Sequence, residues 1–298
     1  MSRPFRSAPL GKGISLLIPF RDDDGTRTPA YNWLLKYWKA ALPGAQVITG
    51  KNLDVPFSKT KAFNHARRHV TGDVLALIDA DCYLDYNVLL SCAAQIRAAR
   101  AKKQRLWFVP YRQFYRLTEL ATSHVLASNP AHPLTFPTPP LPGDLDNGPE
   151  KSSHGNWWGA LVQVMPVEAF DKIGGTDPRF SGWGGEDVAF MRALDTLWTR
   201  HKTTPNQVLH LWHPIIKTTA NLKLWPGQVS PRDNERLADR YNSSFGDPRR
   251  MQRLVNEYHD DSPPPGEVTA REGKLHDASS TRDQRVGGLV LPGRPRNP

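Results

Sequence analysis

A run of apolar residues ending in two carboxylates, Val74-Leu-Ala-Leu-Ile-Asp79-Ala-Asp81, is the strongest chemical signal in the chain. In an extended segment residues i and i+2 face the same side, so Asp79 and Asp81 project together from the C-terminal end of a strand. Two carboxylates held that close repel each other unless a cation lies between them. Oxygen ligands at a strand end suit Mg²⁺ or Mn²⁺ already bound to a diphosphate, and the C-terminal edge of a parallel sheet is where α/β proteins take their ligands. An Asp pair at such a point also serves as an ordinary solvated helix cap, and Asp-x-Asp alone is a common tripeptide.

A second group is Ser181-Gly-Trp183-Gly184-Gly185-Glu186-Asp187, which leads into an apolar helix from Glu186 to Trp198. The glycines let the backbone approach a ligand closely, and carboxylates in a first helical turn are favoured by the helix dipole. An aromatic ring set between glycines suits the apolar face of a sugar. A third group, His210-Leu-Trp-His213-Pro214, closes a strand-like run and puts two imidazoles within reach of one cation. The fourth is the stretch from Tyr86 to Thr118, which has no acid and carries Arg97, Arg100, Lys102, Lys103, Arg105, Arg112 and Arg116. This is either a solvated helix face or a surface for an anionic partner. Tyr111, Phe114 and Tyr115 interleave with the bases as they do in nucleic-acid binders.

The elements that must position these residues alternate between strand and helix, which predicts an α/β domain with a largely parallel sheet. Ile14 to Phe20 reads as a first strand. Thr28-Pro29 supplies the N-cap and first-turn proline of a helix whose apolar stripe includes Trp33, Leu34, Tyr37 and Trp38. A strand at Val47–Thr49, a helix from Ser58 to His69, the Asp-pair strand, a helix over 86–103 and a strand at Leu106–Val109 follow. The Pro-rich segment from Asn129 to Ser153 reads as a long loop, expected to act as a mobile lid over the site. Asn156–Met165 reads as a strand, Val167–Ile173 as a short helix and Val208–Trp212 as the last strand.

Of the 298 residues, 39 are Lys or Arg and 29 Asp or Glu, a net charge of +10 that calls for an anionic partner. No apolar run approaches the ~20 residues of a bilayer-spanning helix, the start of the chain lacks the pattern of a secretory signal, and Cys82 and Cys92 make no disulfide framework. A cytoplasmic protein is expected. Residues 261–298 contain no Phe, Trp or Tyr and are dense in Pro, Gly and charge, so 1–260 are expected to form the folded domain and 261–298 a disordered tail.

In this order the motifs resemble the GT-A class of nucleotide-sugar glycosyltransferases, in particular the β-1,4-galactosyltransferases, chondroitin polymerases and polypeptide N-acetylgalactosaminyltransferases. Ile18-Pro19-Phe20-Arg21 is similar to the family's first strand, Lys61-Ala-Phe-Asn64 to the helix before the metal strand, and Asp79-Ala80-Asp81 to its Asp-x-Asp motif. Trp157-Trp158-Gly-Ala160 followed by Phe170-x-x-Ile-Gly-Gly175 resembles the strand and helix that precede the acceptor motif, and Gly182-Trp-Gly-Gly-Glu-Asp187 resembles that motif itself. The resemblance implies a GT-A (Rossmann-like), mixed, mostly parallel sheet flanked by helices, and a metal-dependent inverting transferase that moves a sugar from a nucleotide donor, a UDP-sugar above all, to an acceptor hydroxyl. It further implies Mn²⁺ or Mg²⁺ on Asp81 and a histidine, where galactosyltransferases align His213 and other relatives His210. The donor is expected on Pro19, Phe20, Arg21, Lys61, Asn64, Asp79, Ala80 and Trp157 or Trp158, and the acceptor on Trp183, Gly184, Gly185 and Glu186. Asp187 is expected to be the general base, since retaining relatives tend to carry Asn there. The acceptor would be a glycan, glycolipid or protein, anionic acceptors included. The alternatives are a basic, metal-dependent nucleic-acid-processing or nucleic-acid-binding protein and a non-catalytic carbohydrate-binding relative.

Overall fold

Strands β1 (Ile14–Pro19), β3 (Val74–Ile78) and β8 (Val162–Pro166) are buried along their whole length, as expected of strands covered on both faces. In a computed structural model that describes residues 8–22, 25, 27–151, 161–182, 184–213 and 231–258, they form the centre of a six-stranded sheet. Its order is β2-β1-β3-β8-β5-β9, with β2 (Gln46–Gly50), β5 (Phe108–Val109) and β9 (Lys202–Thr203) completing it. The pairs β1–β2, β1–β3 and β5–β9 are parallel, and β8 alone runs against its neighbours. This is the mixed, mostly parallel sheet flanked by helices that the resemblance implies.

Helices α1 (Thr28–Ala41), α2 (Lys59–Arg67), α3 (Tyr86–Ala101), α5 (Val167–Lys172) and α6 (Glu186–Leu197) agree with the sequence reading to within a few residues. One detail of α1 differs. Thr28 is already helical and Arg27 holds the N-cap position, because the Thr28 hydroxyl is spent on Asp22 Oδ1 at 2.9 Å.

A second sheet, ordered β4-β10-β6-β7, joins β4 (Cys82–Tyr83), β6 (Gln113–Leu117), β7 (Leu145–Lys151) and β10 (Gln207–His210). Here the reading of 129–153 as one long loop is corrected. After a 3₁₀ turn at Pro142–Asp144, Leu145–Lys151 pairs antiparallel with β6 as an edge strand, the position where a proline such as Pro149 is tolerated. The strand β6 and helix α4 (Glu119–Ala127) also escaped the sequence reading. Tyr111, Phe114 and Tyr115 are buried in this layer, which removes them as rings for stacking on nucleic-acid bases. Trp157, Trp158, Trp183 and the tail from 261 lie outside the described residues.

Two further helices went unread, α7 (Pro231–Ser244) and α8 (Pro248–Asn256). Their docking point is Asp177, 2% exposed at its side chain, which accepts from Arg179 at 2.7 Å and from the Tyr241 hydroxyl at 2.9 Å. Arg179 also reaches Glu257 at 2.7 Å. Removing Asp177 leaves the buried Tyr241 hydroxyl without its acceptor and Arg179 with Glu257 alone, so Asp177→Ala is expected to lower unfolding stability by about 2–3 kcal/mol. A urea titration measures this, and a loss under about 1 kcal/mol would show that Asp177 does not anchor the helices.

Candidate active site

The C-terminal end of β3 turns sharply at Asp79-Ala80-Asp81, where the Cys82 N–H donates to the Asp79 carbonyl at 3.2 Å. The next two residues form β4, and β4 pairs with β10 so that His210 lies opposite Cys82. The Leu211 N–H then donates to the Asp81 carbonyl at 2.7 Å. Backbone pairing alone therefore brings the carboxylate of one segment to the two histidines of another.

The side chains converge accordingly. Asp81 Oδ2 lies 3.3 Å from His213 Nε2, Asp81 Oδ1 lies 3.7 Å from His210 Nε2, and the two rings are 5.2 Å apart. The Cys82 thiol is 3.3 Å from Asp81 Oδ1. Burial works to raise the pKa of Asp81, but His210, His213 and Arg27 outweigh it and hold the carboxyl well below its usual range. Burial pushes His210 down, and Asp81 offsets this only in part, which favours the neutral imidazole that binds metals. One carboxylate and two imidazoles, nearly enclosed, form a donor set that fits a divalent cation. Both histidines stand beside Asp81.

A second cluster lies alongside. Helix α2 begins at Ser58, a fully buried N-cap whose hydroxyl accepts from the Lys61 N–H at 3.3 Å and donates to the Phe180 carbonyl at 2.8 Å. The Gly182 N–H donates to Phe57 O at 3.0 Å. These bonds fix the start of α2 against the glycine loop that precedes α6. Gly184 and Gly185 both have positive φ, 110° and 88°, and a Cβ on Gly185 would meet Ala238 Cβ at 3.0 Å. A side chain there would strain the turn and press on α7.

Between the two helix starts stands Lys59. Its ammonium lies 2.8 Å from Asp79 Oδ1, 2.8 and 3.0 Å from the two oxygens of Asp187, and 4.0 Å from Glu186. Glu186 also accepts from the Gly184 N–H at 3.0 Å. One ammonium cannot neutralise three carboxylates. Burial raises the pKa of Asp187 to about 7, with Glu186 and Asp79 adding to the effect and Lys59 opposing it. Burial works to lower that of Lys59, but Asp187, Asp79 and Glu186 overcome it and keep the amine protonated.

The structure thus brings Asp79, Glu186 and Asp187 together around one lysine, and His210 and His213 together on Asp81. Lys61 and Asn64 are employed elsewhere. Lys61 pairs with Asp54 at 2.6 Å, and Asn64 clamps the following turn through Thr176, accepting from its N–H at 3.0 Å and donating to its carbonyl at 2.7 Å. Positions two apart on a helix differ by about 200° in direction, which is why Lys59 faces the acids while Lys61 does not. Ala80 is buried, and Phe20 stacks on Tyr31 at 3.8 Å after Pro19 ends β1. Arg21 reaches the Asp54 carbonyl and lies over Phe57 at 5.5 Å. Lys59 is the residue the sequence reading missed. Its one local signal is its place directly after a Ser N-cap, where an exposed cation gains nothing from the helix dipole.

Residues 149–204 match a family model described as the N-terminal domain of galactosyltransferase, a span that includes the glycine loop and Asp187. No curated protein matches the chain. Among solved structures, GalNAc-T7 with UDP, GalNAc and Mn²⁺ is 13% identical with a TM-score of 0.45, and the match covers 85% of this chain and 55% of that one. The chain thus spans about half the length of that protein. TarS residues 1–349 from S. aureus with UDP is 11% identical, with a TM-score of 0.46, over 83% of this chain and 70% of that one. Drosophila β1,4-galactosyltransferase 7 with xylobiose is 14% identical, with a TM-score of 0.34, over 74% and 82% respectively.

Proposed function

We propose that this chain, which resembles the GT-A glycosyltransferases and matches the galactosyltransferase model over 149–204, is a metal-dependent inverting transferase. It moves a sugar from a nucleotide-sugar donor, a UDP-sugar in the first instance, to an acceptor hydroxyl. The observation that carries this reading is the placement of the two clusters side by side at one sheet edge, Asp81 with two histidines next to Asp79 and Asp187 on Lys59. A nuclease reading explains the first cluster but gives no purpose to the second.

A Mn²⁺ or Mg²⁺ ion on Asp81 and the histidines would neutralise the charge that develops on the departing diphosphate. The rest falls to the chain's own residues. Asp187 accepts the proton that the acceptor hydroxyl loses as it attacks the anomeric carbon, which inverts the configuration there. An ionised carboxylate has about four lone-pair positions, so the bonds from Lys59 leave room for that proton. Glu186 holds the glycine loop through the Gly184 N–H and offers its remaining capacity to the acceptor. Asp79 faces the donor sugar and ribose, and Arg21 lies beside the nucleotide. Screening UDP-, GDP- and other sugar nucleotides for Mn²⁺-dependent hydrolysis tests the reading. If no donor is hydrolysed and none raises the Tm, the reading fails.

The pH dependence follows from Asp187. Only its ionised form accepts a proton, so the rate should climb as pH rises through about 7. Lys59 holds that pKa down, so Lys59→Met is expected to move the rising limb to higher pH and to cost several-fold in rate at neutrality. Lys59→Arg, which keeps the charge, should stay close to the parent profile. A limb that does not move in Lys59→Met would separate Lys59 from the base.

A further inference from the structure

Strands β1, β3, β5 and β9 all begin at one edge of the six-stranded sheet, opposite the edge where Asp79 and Pro19 end their strands. Three segments meet along that far edge. The turn 10–13 is joined to α3 by Arg97, which donates to the Lys12 carbonyl at 3.0 Å. The end of α3 is joined to the segment after α6 by Arg105, which donates to the Trp198 carbonyl at 3.2 Å. The Lys202 N–H donates to Trp107 O at 3.0 Å.

Residues 10–13, 97–105 and 198–203 contain no acid. Lys12, Lys102, Lys103, Arg105, Arg200 and Lys202 are exposed along them. The acids that touch this rim are already matched, Asp73 by Arg97 at 2.6 Å, Glu168 by Arg100 at 3.1 Å, and the Asp195 carboxylate, 3% exposed, by the His201 N–H at 2.8 Å and ring at 2.9 Å. These six bases therefore face away from the carboxylate clusters, where neither donor nor metal would meet them.

Three features define what such a rim fits. From β1 to β9 it crosses four sheet steps, about 19 Å at ~4.8 Å each, so it matches an extended surface better than a single phosphate. Helices α3 and α6 end here, and their C-termini do not build a pocket for one anion. Its large rings are hidden, Trp107 being buried and Trp198 lying under the Arg105 guanidinium at 4.8 Å, so bases of a nucleic acid would find nothing to stack on. An apolar side chain does stand out among the bases, Leu10 at 53% exposure.

We propose that this rim docks the protein on an anionic lipid bilayer, the bases lying over the headgroups and Leu10 entering between them. Docked so, the clusters at the opposite edge face the aqueous phase. The inference stands independently of the transferase reading, since it uses none of the residues assigned there.

Co-sedimentation of the full chain with vesicles tests it. Binding is expected to phosphatidylcholine vesicles containing about 30 mol % phosphatidylglycerol, with little to pure phosphatidylcholine, and with loss at about 0.5 M NaCl. The combined change Lys12→Glu, Lys102→Glu, Lys103→Glu and Lys202→Glu should weaken binding about tenfold or more. Arg236→Glu, Arg249→Glu and Arg253→Glu on the C-terminal helices should not. Equal binding to both vesicle types, equal loss in both variants, or capture of a DNA duplex with the vesicles left unbound would each overturn the proposal.

Discussion

Asp187→Asn is expected to lower sugar transfer by about 10²- to 10⁴-fold, the usual share of a general base, while donor and Mn²⁺ affinities stay within about twofold. The reason is geometric. Asp187 opens α6 and is held by Lys59 on one side of the site, apart from Asp81 and the histidines that make up the candidate metal centre. Asn keeps the size and can still accept from Lys59 through its carbonyl, so the loop should survive. It cannot take up a proton. Isothermal titration with donor and metal, set beside initial rates, separates the two effects. Donor binding lost together with activity would mean that Asp187 holds the donor and is not the base. Transfer retained in the variant would remove the base assignment altogether.

The second large effect is expected at Asp81. Asp81→Ala removes the one carboxylate between His210 and His213, so donor affinity in the presence of Mn²⁺ should fall to its metal-free value, and transfer with it. His213→Ala and His210→Ala tested in parallel decide which imidazole matters more, since both stand within 4 Å of the same carboxylate. Donor affinity that is unchanged in Asp81→Ala, with and without Mn²⁺, would exclude the metal role. Because Asp81 is buried, the folded state of the variant should be checked by its urea midpoint before its affinity is read.

Much of this was legible in the sequence where local chemistry and tertiary structure agree. The apolar run Val74–Ile78 could only be a buried strand, and the carboxylates at its end had to face the edge where ligands bind. The glycine loop drew attention to Glu186 and Asp187 at the start of α6, and the structure places both beside Lys59. What stayed hidden depended on contacts remote in sequence. Lys59 looks like any surface lysine until α6 supplies Asp187 and Glu186 beside it. The strand Leu145–Lys151 carries a glycine and a proline, and only its partner β6 makes it a strand. Helix α8 has the periodicity of an amphipathic helix, but its many arginines and short length obscure the face formed by Met251, Leu254 and Val255.

The pairing of His210 with Cys82 has a consequence for how the molecule is made. β4 is two residues long and emerges early from the ribosome, whereas β10 comes only after all six strands of the main sheet have been synthesised. Closing so long a loop is entropically costly and comes late in folding. Asp81, His210 and His213 therefore meet only once β10 has paired with β4, so the candidate metal centre is absent from a partly folded chain.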